Sequence, residues 1–316
     1  MAYRLNLDEP ISTAVVATVD ERLAHAITQL RETAAQDRTT AIHDARKDLK
    51  KLRSLLRLIG PGVKRRERRR ENTAFAEVGR SLSVARDADV MVEVVDDLTQ
   101  RATGQVPEAT FAALRHALVD AAQDVRGEVD DATLEASAAE LDASRERFAA
   151  WALDKLRDAS LIEGLARGYA RGRADFALAQ EPDPAAEHLH DWRKRVKDLW
   201  YQERLLRDAW PTVLKAQIEE LDALAEVLGD DHDLAVLRAL LVSGEGAAAQ
   251  VAADLDPLVA YIDVRRAGLL ATARSLGARI YAEKPEAFER RHAGYLAAAR
   301  ADRALPTASP APAASA

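Results

Sequence analysis

The sequence has 316 residues, 45 Lys and Arg against 52 Asp and Glu, and a formal net charge of −7. It contains no Cys, which excludes disulfides, thiolate metal sites and cysteine nucleophiles. Gly (14), Pro (11) and aromatic residues (5%) are sparse beside Ala, Leu, Arg and Glu, which favours helix over sheet, because straight-chain residues lose little side-chain freedom in a helix. The start, MAYRLNLDEPIS, carries no charged region followed by an apolar run, and no stretch reaches the roughly 18 apolar residues of a membrane span. A soluble, cytoplasmic, all-α protein is expected.

The first predicted helix covers 11–35, with Val15, Val19, Leu23, Ile27 and Leu30 forming a stripe at three- and four-residue spacing. A second starts near Thr40, capped by Thr39 or Thr40, and stops at Gly60-Pro61-Gly62. Others are expected over about 63–84, 88–101, 108–128, 133–156 and 159–179. The segment Gln180-Glu181-Pro182-Asp183-Pro184 reads as a linker, since two prolines this close do not fit a helix interior. Helices over about 185–208, 212–228, 231–242, 247–277 and 284–300 follow, punctuated by Trp210-Pro211, Gly229 and Lys284-Pro285. From Ala301 the chain has low complexity and is expected to be a disordered tail.

Charge is unevenly spread. Residues 43–70 hold 12 Lys and Arg against 3 Asp and Glu, whereas residues 121–164 hold 5 against 11. Such a dipole attracts a polyanion to one face despite the acidic total. The densest run, Lys64-Arg65-Arg66-Glu67-Arg68-Arg69-Arg70, points all round a helix, so only part of it faces one ligand.

The basic region recurs. His43-Asp44-Ala45-Arg46-Lys47-Asp48-Leu49-Lys50-Lys51-Leu52 is matched 147 residues later by His190-Asp191-Trp192-Arg193-Lys194-Arg195-Val196-Lys197-Asp198-Leu199. A second pair, Leu82 to Val90 and Leu228 to Val236, matches at a separation of 146. A duplicated helical unit is expected, with halves at 10–180 and 185–300. In the first copy Ala45, Leu49, Leu52, Leu56 and Ile59 form the apolar stripe. His43, Arg46, Lys47, Lys50, Arg53 and Arg57 lie on the other side, and Arg46 to Arg57 spans on the order of 16 Å. In the second, Trp192, Val196, Leu199 and Leu206 serve the core, while His190, Arg193, Lys194, Lys197 and Arg204 form the polar face. Like charges so spaced repel, and such rows invite a neutralising partner. Arg167, Arg171 and Arg173 lie beside Gly164, Gly168 and Gly172, a bare stripe that admits either a neighbouring helix or a ligand.

The doubled H-D-x-R-K-x-Φ-K-x-L block, followed by R-D-x-D-V in one half and H-D-L-A-V in the other, resembles the CHAD (conserved histidine α-helical domain) family. The resemblance extends over roughly residues 10–300. It implies two helical bundles related by pseudo-twofold symmetry and a central basic surface that binds inorganic polyphosphate, with possible localisation at polyphosphate granules. No catalytic residue, metal or cofactor is expected. The candidate ligands of polyphosphate are His43, Arg46, Lys47, Lys50, Arg53, Arg57, Arg86, Arg171, His190, Arg193, Lys194, Lys197 and Arg204. Arginine suits forked bonds to phosphate oxygens, lysine acts as a point charge, and a polyanion favours protonated histidine. Asp87 and Asp89 suit helix capping or pairing with Arg86.

Two other readings fit parts of the sequence. Three His-Asp dipeptides, at 43–44, 190–191 and 232–233, suggest a metal-dependent phosphohydrolase, although cations follow the first. The basic helices also suit nucleic acid, but base-stacking aromatics are scarce: Phe75 alone lies near the first row, and Trp192, Trp200 and Trp210 read as core-facing or flanking. A scaffold for protein partners is a third option.

Overall fold

The computed structural model describes residues 3–102, 104–126, 129–251 and 255–304, with the side chains of 84–89 and 124–126 outside that description. Its regular elements are all helices: α1 (Ile11–Arg31), α2 (Arg38–Leu58), α3 (Arg65–Ser81), α4 (Val84–Arg101), α5 (Glu108–Arg126), α6 (Asp131–Ala149), α7 (Asp158–Leu178), α8 (Ala186–Leu206), α9 (Pro211–Ser243), α10 (Asp256–Ile280) and α11 (Pro285–Ala304). None of the described helices is long and apolar enough to cross a membrane.

The apolar stripes are buried as their periodicity requires. Val15, Val19, Leu23, Ile27 and Leu30 of α1 meet Ala45, Leu49, Leu52 and Leu56 of α2 in the main core. Trp192, Val196 and Leu199 of α8 join the same core, which also takes side chains from α3, α6, α7, α11 and the first half of α9. It therefore draws on chain from both sides of the 180–184 link. A second, smaller core holds Val95 and Leu98 of α4, Phe111 and Leu114 of α5, Leu237 of α9 and Ile262 of α10. With 33 residues, α9 rises about 50 Å and ties the two cores together.

Several boundaries differ from expectation. Asp37, not Thr39 or Thr40, caps α2: its side chain accepts the Thr40 backbone N–H at 3.0 Å, and that bond holds its carboxyl below the ordinary range. The helix expected from 247 begins at Asp256, preceded by a short 3₁₀ turn at Ala248–Gln250. The last helix continues to Ala304, taking in the first four residues of the expected tail; residues 305–316 lie outside the described ones.

Gly229 does not break α9, which runs through it without interruption. A Cβ built there stands 3.7 Å from Nε and Nη2 of Arg193, so the bare position faces the α8 arginine. Glycine costs a helix interior about 1 kcal/mol, an amount tertiary packing readily overrides. Because 3.7 Å is ordinary contact, Gly229→Ala is expected to raise stability by about 0.5–1 kcal/mol, read as a higher midpoint of thermal unfolding. A lower midpoint means Arg193 requires the space that the bare position leaves.

Two features fix α2 against its neighbours α8 and α1. The N-terminal segment straps across both: the Tyr3 hydroxyl donates to the Lys51 carbonyl at 2.8 Å, and the Leu5 N–H donates to the Leu205 carbonyl at 2.9 Å. On the α1 side of α2, the fully buried Asp48 accepts from Arg22 at 3.2 Å and Lys51 at 2.8 Å, and meets His25 Nδ1 at 2.5 Å.

Candidate functional site

Where α2 and α8 cross, the Ser54 hydroxyl donates to the Asp198 carbonyl at 3.0 Å, and the Gln202 amide donates to the Ser54 carbonyl at 3.4 Å. The Arg57 guanidinium pairs with the Asp198 carboxylate at this point. Helix α7 closes the third side through its glycine stripe. A Cβ on Gly164 would lie 1.8 Å from the Leu58 carbonyl oxygen, and one on Gly168 would lie 2.7 Å from Gln202 Oε1. The stripe is thus a close helix approach at both positions. The Gly60–Gly62 turn then leads the chain into α3, whose Arg68 lies over Gly60.

These elements enclose a cleft of about 70 Å³ lined by Arg57, Arg68, Arg167, Arg171 and Arg195, with Asp198 as its one lining carboxylate. Arg57 is taken by Asp198, Arg167 by Glu163, and Arg195 stands 3.4 Å from Asp175. Even so, the Nε atoms of Arg57, Arg68 and Arg195 are buried and make no hydrogen bond within the chain. Buried donors are nearly always satisfied, and while Arg195 Nε still faces the Asp175 carboxylate, the two orphans on Arg57 and Arg68 mark a place where an acceptor belongs. Burial, followed by repulsion from Arg171 and then Arg69, Arg65 and Arg57, weakens the hold of Arg68 on its proton. Arg53, beside the cleft, is depressed by burial and then by Arg57, and its Nε donates to Asn72 Oδ1 at 3.3 Å. The cleft thus gathers mutually repelling guanidiniums with few carboxylates to offset them.

A family model for the CHAD domain matches residues 17–242. The chain belongs to the CHAD family. Among solved structures, it is similar to PptA from Streptomyces chartreusis, at 13% identity and a TM-score of 0.60, covering 87% of this chain and 100% of that one. It is also similar to the CHAD domain from the plant Ricinus communis, at 20% identity and a TM-score of 0.53, covering 90% of this chain and 96% of that one. Among curated proteins, none matches.

The two CHAD basic rows are placed differently. On α2, Arg46 donates to the Leu82 carbonyl at 2.9 Å, tying α2 to the end of α3. Lys47 reaches Asp44 at 3.4 Å, His43 is partly buried and Lys50 is exposed. On α8, Lys194 pairs with Asp191 at 2.9 Å. Arg193 faces Gly229 of α9, and its Nε is another buried donor without a bond. The Lys197 ammonium and the Arg204 guanidinium lie 4.8 and 4.5 Å from the centre of the Trp200 ring. Burial lowers the Lys197 ammonium below its ordinary value, against the attraction of Asp222 on α9. Trp200 is therefore partly buried beneath two cations, while Trp192 is fully buried and Trp210 is exposed.

The His190 ring stacks on His232 at 4.6 Å between centroids, and its Nδ1 has no hydrogen-bond partner. Burial first, then Lys194, His232 and Arg193, hold it below the ordinary imidazole value. Of the candidate ligands, Arg57 and Arg171 line the arginine cleft, joined there by Arg68, Arg167 and Arg195. Arg167 was legible as a neighbour of the glycine stripe and Arg68 as part of the basic run, but only the fold shows that they converge. The side chains of Arg86, Asp87 and Asp89 lie outside the described residues.

Proposed function

We propose that this CHAD protein is a non-enzymatic module that binds inorganic polyphosphate, with the arginine cleft at the α2–α8 crossing as its anchor. The observation that carries the reading is the pair of buried Nε donors on Arg57 and Arg68, neither of which makes a hydrogen bond within the chain, beside the Arg195 and Arg171 guanidiniums. A polyphosphate offers a regular string of charged oxygens and no base edges, so recognition is electrostatic and geometric. The exposed cations Lys47, Lys50 and Lys194 extend the attraction along both helices. In a cell such a module is expected to sit with polyphosphate granules in the cytoplasm.

The test is fluorescence anisotropy with labelled long and short polyphosphate across a salt series. Affinity falls linearly on logarithmic axes, and the slope loses about one unit for each phosphate-contacting cation removed. DNA and RNA at matched charge compete poorly, because the cleft admits a phosphate and offers no exposed row of stacking rings. Equal competition by nucleic acid overturns the polyphosphate assignment in favour of a general polyanion binder.

Acid should strengthen binding. His190 is held neutral by its burial and cationic neighbours, and a bound polyanion opposes that effect. Complex formation then takes up protons, and affinity rises as pH falls toward and below the ordinary imidazole value of about 6.5. Calorimetry in buffers of different ionisation enthalpy reads the uptake directly, and His190→Gln reduces it.

A further inference from the structure

A larger cleft, of about 620 Å³, opens among α7, α8, α9 and the turn between α10 and α11, and shares no lining residue with the arginine cleft. Its volume lies in the range of small-molecule sites, roughly 300–1,000 Å³. The α8 residue Glu203 lines it, is only 2% exposed, and has an Oε2 with no hydrogen-bond partner. The nearest imidazole, His292 on α11, is 3% exposed and places Nε2 3.7 Å from Glu203 Oε1, beyond hydrogen-bond reach.

The tautomer of His292 follows from its other contact. Nδ1 lies 2.9 Å from the Phe288 carbonyl oxygen, which can only accept, so Nδ1 carries a proton. Nε2 faces Glu203 Oε1 across 3.7 Å and makes no hydrogen bond. Glu203 Oε2, buried on the cleft wall and without a partner in the chain, is then an acceptor that His292 does not reach. Such an arrangement is costly unless something brings N–H groups to it.

The surroundings decide what kind of donor fits. Arg291 is already engaged, by Glu283 at 2.9 and 3.2 Å, by the Tyr295 hydroxyl at 3.4 Å and by the Gln217 amide oxygen at 2.9 Å. Glu219 and Glu220 on exposed positions of α9 add negative charge, against Arg279 from α10. An anion is repelled by Glu203, and a metal ion finds one carboxylate and one imidazole where it needs about four ligands. The walls between, including Leu199, Val213, Leu221, Ile280 and Phe288, are apolar.

We infer that the cleft lined by Glu203 is a second ligand site, for a small primary amine whose ammonium group meets the Glu203 carboxylate while a short hydrocarbon body lies on the apolar walls. This site does not depend on polyphosphate binding. A primary ammonium brings three donors on a compact head, enough to satisfy Glu203 Oε2 with a charge-assisted bond.

Calorimetry and thermal unfolding of the full chain, with n-butylammonium and 1,4-diaminobutane as probes, test the site. Both amines bind saturably and raise the unfolding midpoint, whereas 1-butanol and butyrate at equal concentration and ionic strength do neither. Glu203→Gln lowers amine affinity by about tenfold or more, the scale of one lost charge-assisted bond, and leaves polyphosphate affinity unchanged. Ala216→Trp, at an exposed position lining the cleft, blocks amine binding without touching Glu203 and decides the matter should Glu203→Gln fail to fold. Equal responses to butanol or butyrate, tighter binding of zinc than of either amine, or amine binding that survives Ala216→Trp overturns the inference.

Discussion

Replacing Arg68 and Arg171 together by alanine lowers polyphosphate affinity on the order of 100-fold or more, since each hydrogen bond from a guanidinium to an anion contributes about 1.5–3 kcal/mol. These two arginines are the informative pair. Arg57 is bonded to Asp198, so removing it also strips a carboxylate of its partner and adds repulsion to the loss. Arg68 has no such tie: burial and the neighbouring arginines make its charge unfavourable. The double variant is therefore expected to unfold at the same temperature as the parent or higher while binding collapses. A matched control removes two other arginines, Arg115 and Arg238, which pair with Asp96 and Asp263 on the exposed surface of the smaller core. It changes net charge by the same amount and leaves affinity nearly unaltered, because exposed pairs contribute little and lie away from the cleft. If both double variants lose affinity equally, attraction is spread over the whole molecule and the cleft is no anchor.

The helical class, the order of the helices and the buried stripes were legible because apolar spacing maps directly onto a helix face. The 180–184 link falls between α7 and α8, where its prolines require it. Gly229 misled because a local propensity of about 1 kcal/mol was read without the Arg193 side chain that packs against it. The site was half legible for a related reason. Motif matching identified the two basic helices, but the register of charges within them differs at the positions that matter. Asp48 and Lys51 of the first block align with Arg195 and Asp198 of the second. The first pair is turned inward, with Asp48 buried against Arg22 and His25; the second lines the cleft and meets Arg57. Nothing in the spacing distinguishes these fates, because each is set by the helix packed opposite. Arg68 and Arg167 come from other helices altogether, so their convergence on Arg57 is a property of the fold.

That dependence on packing makes Gly164 the position with the largest expected effect on the fold. A methyl group there would stand 1.8 Å from the Leu58 carbonyl oxygen and 2.7 Å from its carbon, distances at which backbone must move. The partner is the last turn of α2, anchored by the buried Leu55, Leu56 and Leu58, so α7 is the element that yields. Gly164→Ala is expected to cost about 3 kcal/mol, the upper part of the range for overpacking, although alanine is the better helix former. For a chain of this size that lowers the midpoint of thermal unfolding by roughly 4–5 °C. Because Arg167 and Arg171 ride on α7, the same shift opens the cleft, and polyphosphate affinity falls in the fraction that remains folded. Gly229→Ala supplies the contrast: the same change of residue type, also inside a helix, but with an expected gain in stability. Opposite signs for the two substitutions show that tertiary contact, not helix propensity, governs both positions; a stable Gly164→Ala protein with unchanged affinity shows that α7 is not held to α2 as closely as its bare stripe requires.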